Sequence, residues 1–354
     1  MRPKTVAGLL LCCGVLGCSW HSGGEQNPIE IFIPPQIRIT THVVQAPDGV
    51  SLALHRHLPP NGRKGATVLL CHSMGFNSEV WHLNGMSSPA MYLAARGHDV
   101  WRLDFRGCGL SGPAPKGTTF EDYALKDIPA AVGYVAETVE KPGVFVIGHG
   151  TGGSAALIYL LSAVKPMVNG LVLIGSPLSA HLPPDAIFSD LALAEKCLAD
   201  PLCRFPSVTV NASPSPPGWE SLFYNPGNVR PNVRDALLRR SSEPIPEGVL
   251  RQFLRMVETG KLVSPDGKRT YQGELSALRL PLCALCGKAD NFAPPSTVRA
   301  IFHGAASVDK MFRLFCRAND DAPDYGHLDL LCGDRVEFFV YPTIDQWLQE
   351  RLKE

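Results

Sequence analysis

Short apolar runs alternate along the chain with helix-length patterns, and this alternation constrains the fold more than any other feature. The runs are Ala66–Cys71, Asp99–Leu103, Gly143–Ile147, Gly170–Ile174, Leu282–Leu285 and Met311–Phe315. Their length and flanking turn residues fit strands buried on both faces. Helical patterns fall between them at Pro89–Ala95, Phe120–Glu140, Gly153–Val164 and Ser296–Phe302. A Tyr341–Leu352 helix is expected to close the chain, with Pro342 in its first turn. Strands alternating with helices imply a mostly parallel central sheet with helices on both faces. Ahead of them, Ile37–Val44 and Ser51–Leu58 alternate in polarity around Pro47-Asp48-Gly49, a hairpin signal.

One stretch, 181–273, breaks the alternation. It is rich in proline and carries helical patterns at Asp185–Ala199, Val233–Arg240 and Gly248–Thr259, then a hairpin signal at Pro265-Asp266-Gly267. It is too long for a structureless loop. It is expected to be a mainly helical cap inserted between two parts of one core, 37–180 and 274–354.

The 33 basic and 33 acidic residues balance and form no basic run, which argues against a nucleic-acid partner. At the N-terminus, Arg2 and Lys4 precede an apolar stretch, Thr5–Gly17, too short to span a bilayer as a stable anchor. It ends in Val15-Leu16-Gly17-Cys18, which resembles a bacterial lipobox. That resemblance implies a signal peptide over 1–17, a lipidated Cys18, a tether over 18–36, and an exported lipoprotein held at a membrane. Of the 11 cysteines, eight would remain in the mature domain: Cys71, Cys108, Cys197, Cys203, Cys283, Cys286, Cys316 and Cys332. Export permits disulfides, and Cys197 and Cys203 could close a small loop. Cys283 and Cys286 fall in an apolar run and read as buried thiols rather than a metal pair. His55 and His57 share a strand face without a third ligand, so exposed strand positions are expected. No metal or cofactor is expected.

The chemistry centres on Val146-Ile147-Gly148-His149-Gly150-Thr151-Gly152-Gly153. This segment follows a strand and opens a helix, the context of a G-x-S-x-G nucleophile elbow. The flanking glycines are present, but Gly150 holds the nucleophile position. The glycine spacing does not fit a dinucleotide fingerprint.

Leu69-Leu70-Cys71-His72-Ser73-Met74-Gly75 resembles the H-G-x-G oxyanion loop of α/β hydrolases, with Ser73 replacing the first glycine. Asp104-Phe105-Arg106-Gly107-Cys108-Gly109-Leu110-Ser111 is similar to their D-x-R-G-x-G-x-S turn. Phe120-Glu121-Asp122-Tyr123 through Ala131 resembles a helix of the lipase-like and polyester-synthase-like branches. Gly287-Lys288-Ala289-Asp290 and Tyr325-Gly326-His327-Leu328-Asp329 resemble the turns that carry the acid and the histidine. The ending from Val340 to Leu348 is similar to the hydrolase module at the end of some cholesterol-oxidase-type proteins. On these motifs the chain is identified as a member of the α/β-hydrolase superfamily, lipase/esterase-like branch.

The resemblance implies His327 as general base and Asp290 as its orienting partner. Asp320, Asp321 and Asp324 compete for the acid role, but only Asp290 sits at a strand end. The backbone N–H groups of Met74 and Thr151 would form the oxyanion hole. The missing nucleophile leaves two routes to chemistry: a water activated by His327, or a relocated nucleophile, for which Ser73 is the best placed. The Thr151 side chain is expected to leave the elbow in another direction, and Ser154 to face away. His72 and His149 are expected to be structural. The expected ligand is a small apolar ester or acyl compound. The alternative is a non-catalytic pseudo-hydrolase that binds a ligand or protein partner. An acyltransferase of the polyester-synthase type ranks below both, because its cysteine is also absent at position 150.

Overall fold

The computed structural model describes residues 37–60, 62, 64–83, 88–140, 143–179, 223–319 and 324–352. The N-terminal signal, Cys18, the tether, Cys197, Cys203, Asp320, Asp321 and the Asp185–Ala199 segment lie outside the described residues.

Eight strands form one sheet: β1 Arg38–Gln45, β2 Ser51–Leu58, β3 Thr67–Cys71, β4 Asp99–Leu103, β5 Val144–His149, β6 Val168–Ile174, β7 Leu282–Gly287 and β8 Lys310–Phe315. Their spatial order is β1-β2-β4-β3-β5-β6-β7-β8. The pairs β1/β2 and β2/β4 are antiparallel, and every other pair is parallel. Strands β3, β4, β5 and β7 are buried along their whole length. That is why they read as unbroken apolar runs rather than alternating ones. Each large apolar side chain they bury contributes about 1.5–3 kcal/mol of transfer free energy.

The helices are α1 Pro89–Ala95, α2 Phe120–Asp122, α3 Ile128–Val139, α4 Thr151–Ser162, α5 Pro231–Ser241, α6 Glu247–Thr259, α7 Pro295–Gly304, α8 Asp329–Cys332 and α9 Val336–Glu350. A π-helical turn, Tyr123–Asp127, joins α2 to α3. Ile128 N–H donates to the carbonyl of Tyr123, five residues back, just before Pro129, which has no N–H to give. The last helix begins earlier than its pattern suggested, so Pro342 lies in its interior, not its first turn. The ring deprives the carbonyl of residue 338 of its helical partner. Phe338 faces solvent, where that loss is least costly.

The turn after β4 is locked from several sides. The Asp104 carboxylate pairs with His55 Nε2 at 3.0 Å and accepts N–H groups of Ser78 (2.8 Å) and Leu110 (3.0 Å). Arg106, fully buried, donates to Asp127 and to Asp48 in the β1–β2 turn. His55 and His57 are buried, not exposed. Both belong to this scaffold, for His57 Nε2 accepts Arg102 Nε–H at 2.8 Å. The pairing of β2 with β4 sets both histidines beside Arg102 and the Asp104 turn, with β2 inside the sheet rather than at its edge. The six described cysteines are buried, Cys283 and Cys286 on β7 among them.

Candidate active site

The site forms where β3 and β5 end side by side, with Cys71 paired to Gly148. After β5 the chain turns through Gly150 at φ 53°, ψ −128° and enters α4. This left-handed turn is strained for a residue with a side chain. Gly152 lets the loop after β3 pack directly on the turn: a Cβ there would overlap the carbonyls of Cys71 and His72. The elbow and the expected oxyanion loop are therefore in contact.

Position 150 carries no side chain, and Ser73 takes the room. A Cβ built on Gly150 would lie 2.8 Å from His327 Nε2 and closer still to Ser73 Oγ. Ser73 Oγ thus stands in the space that a serine at 150 would need, on the same side as the histidine. It accepts the N–H of Thr151 at 3.3 Å and lies 3.3 Å from Thr151 Oγ1. Met74 N–H donates to Thr151 Oγ1 at 2.7 Å. Both backbone donors expected to form an oxyanion hole therefore meet a hydroxyl oxygen of the protein. The Thr151 side chain does not leave the site as expected; it turns back toward Ser73. Ser154 does face away, donating to the Pro177 carbonyl at 2.5 Å.

His327 and Asp290 come together from two loops, at the ends of β7 and β8. His327 Nδ1 is 3.0 Å from Asp290 Oδ2, and Asp290 Oδ1 accepts the N–H groups of Phe292 (3.0 Å) and Ala293 (2.7 Å). The carboxylate partner assigns the ring proton to Nδ1 and leaves the lone pair on Nε2. Nε2 is buried and has no protein partner among the described residues. The ring packs against His149, centroid 4.2 Å away, and against Phe292, 4.4 Å away. Burial lowers the His327 pKa to about 3, so the ring is a neutral base near pH 7. Burial pushes the Asp290 carboxyl up, and the N–H groups of Ala293 and Phe292 oppose that rise.

The profile of the serine aminopeptidase, S33 family matches residues 62–318, a stretch that includes Ser73, Gly150 and Asp290. This chain belongs to that family. The S33 chain is 24% identical to Triacylglycerol lipase 1 of Arabidopsis thaliana, over 92% of its own length and 90% of that protein. It is 23% identical to a poly(3-hydroxyalkanoate) polymerase subunit of Allochromatium vinosum, over 85% and 86% respectively. Among solved structures it resembles a thermophilic esterase from Thermogutta terrifontis (TM-score 0.63, 19% identity), covering 88% of this chain and 99% of that one. These likenesses agree with the sheet order in giving the α/β-hydrolase fold, on an esterase/lipase-like chain.

Other polar groups near the site hold the S33 scaffold in place. His72 Nδ1 donates to the Ser73 carbonyl at 2.9 Å, and its Nε2 accepts Phe105 N–H at 3.2 Å. His149 Nε2 donates to the His327 carbonyl at 3.2 Å. Asp324 accepts Arg317 N–H and does not reach His327. Asp329 accepts Asn228 Nδ2–H at 2.7 Å, tying the segment before α5 to the histidine loop. Among the described residues no cluster of His, Cys, Asp and Glu could hold a metal ion.

Two contributors escaped the sequence reading. Gly175, at φ 52° after β6, leaves room for the pair: a Cβ there would lie 2.6 Å from Asp290 Oδ2 and 3.0 Å from His327 Nδ1. Its signal was a glycine directly past an apolar run. The Thr151 hydroxyl carried no such signal, because its role depends on where Met74 N–H falls. The arrangement offers a hydroxyl, a neutral imidazole facing the same space, a buried carboxylate and two convergent N–H groups. Those are the parts of nucleophilic acyl chemistry.

Proposed function

We propose that the chain is a carboxylic-ester hydrolase that uses Ser73 as its nucleophile, with His327 as base and Asp290 as orienting acid. The observation that carries this reading is the position of Ser73 Oγ inside the space a residue-150 side chain would fill, a space that His327 Nε2 also borders without a hydrogen bond between the two. In the first step His327 Nε2 takes the Ser73 proton while Oγ bonds to the ester carbonyl carbon. The carbonyl π pair moves onto oxygen, which accepts the N–H groups of Met74 and Thr151. The intermediate then expels the alcohol, which leaves with the proton held on His327. Water, deprotonated by the same nitrogen, releases the acid and restores Ser73.

A small apolar ester or acyl ligand suits the site, since Phe292 packs on His327 and stacks on Phe253 at 5.2 Å. The lipase names among the relatives support that class. Export and lipid anchoring at Cys18 belong to the same proposal and rest on the basic start, the short apolar stretch and the Val15–Cys18 motif.

A second reading has one specific observation in its favour. Both expected oxyanion donors are already bonded to protein hydroxyls, as in a fold that binds a ligand without turning it over.

A panel of short-chain and long-chain esters, with an aminoacyl arylamide alongside, separates the two. Ester hydrolysis that falls by about a thousand-fold or more in both Ser73→Ala and His327→Ala is expected. Absence of turnover on every ester would favour the binding reading. Turnover that survives Ser73→Ala but not His327→Ala would point to water attack.

A further inference from the structure

We propose that the Thr151 side chain is a latch on the oxyanion hole, closed at rest and displaced by the substrate carbonyl. This deepens the esterase reading and rests on it. Met74 N–H is buried and needs an acceptor. At rest that acceptor is Thr151 Oγ1, at 2.7 Å. In the transition state the same N–H must serve the developing oxyanion. One donor cannot fully serve both, so Thr151 Oγ1 has to yield first.

The geometry lets it yield cheaply. Thr151 is the first residue of α4, and its hydroxyl moves by rotation about a single side-chain bond. Its backbone N–H, the second donor, stays fixed by the helix through that rotation. Ser73 Oγ, 3.3 Å from Thr151 Oγ1, lies near the same oxygen. Closing the latch therefore occupies Met74 and links Thr151 Oγ1 to Ser73; opening it frees Met74 N–H, while Ser73 Oγ keeps the Thr151 backbone N–H. In this respect Thr151 is a positioning residue, acting through Met74 and Ser73.

Replacing the hydroxyl by a methyl in Thr151→Val removes the competing acceptor and keeps the shape. The experiment follows phosphonylation by a fluorophosphonate probe, together with the thermal midpoint of each variant. It is run in the wild-type background and in Gly150→Ser/Ser73→Gly, which returns the hydroxyl to position 150. The expected result in Thr151→Val is labelling faster by about three- to tenfold, the scale of one neutral hydrogen bond, with a lower midpoint because Met74 N–H loses its resting partner. Unchanged or slower labelling in a background that labels would overturn the latch, since a merely structural threonine would lower rate and midpoint together. If only the Gly150→Ser/Ser73→Gly background labels, Ser73 is not the nucleophile, and the latch is judged there on the same criterion. Absence of labelling in both backgrounds, with and without Thr151→Val, would overturn it too.

Discussion

Ser73 Oγ and the missing side chain of Gly150 compete for one space beside His327 Nε2. The hydroxyl of the loop after β3 stands where the elbow after β5 has none. A serine introduced at position 150 alone would meet Ser73, and it would also adopt φ near 53° with a side chain. Gly150→Ser should therefore lower stability by about 1–3 kcal/mol and should not raise ester turnover. Adding Ser73→Gly removes the clash, and the double variant should hydrolyse ester faster than Gly150→Ser. Denaturant unfolding and one ester assay check both halves.

Gly175 supports the pair from beneath. In Gly175→Ala the new methyl would press on Asp290 Oδ2 and His327 Nδ1 from a backbone at φ 52°. We expect turnover to fall by about a hundred-fold or more, the scale of an ångström's misplacement, and stability to fall by about 1–3 kcal/mol. A variant with wild-type kcat would show that the Asp290–His327 distance is not critical.

Asp290→Asn replaces an acceptor by a group that can present N–H to Nδ1. The ring would then favour the tautomer with its proton on Nε2, facing Ser73. Turnover should drop by about 10³–10⁴-fold, while a fold still held by the Phe292 and Ala293 N–H groups remains. Steady-state kinetics beside a thermal melt checks this.

Histidines desolvated on folding set an acid limit on the fold. Burial lowers His327 to about 3 and His82 to about 4. Both folded-state values lie below the ordinary histidine value, so the unfolded chain takes up protons first as pH falls. Their stabilisation is full above the unfolded value of about 6.5 and is lost below it. Asp329 runs the other way. Its carboxyl, raised by burial to about 6, favours the fold as pH drops from there toward the ordinary carboxylate range. Loss of stability should therefore begin between about pH 7 and pH 6, where the lowered histidines His57, His72, His82, His149 and His327 outnumber the raised carboxyls of Asp127, Asp290 and Asp329, and flatten below. A thermal midpoint that is constant or rising through that interval would contradict the assignment.

Much of the fold was legible because buried parallel strands show as unbroken apolar runs, and each expected strand is found within a few residues of its place. Helix α9 was misplaced at its start because Pro342 looks like a first-turn residue, yet its cost is tolerable on an exposed face. His55 and His57 were misjudged as exposed because their burial depends on β2 lying beside β4, a pairing no local pattern encodes. The Asp290–His327 contact was accessible through turn motifs. The contact between Ser73 and the empty position 150 was only half accessible. Sequence order could place the two loops near each other, but the direction of a hydroxyl depends on packing. The same holds for Thr151, whose side chain was expected to point elsewhere.

The most direct test of the account is to treat the wild-type protein with a serine-directed fluorophosphonate, weigh it intact and map the modified peptide. The account predicts a single adduct on Ser73 that forms faster than in His327→Ala and disappears in Ser73→Ala. An adduct on any other residue, or none in a protein that hydrolyses ester, would contradict it.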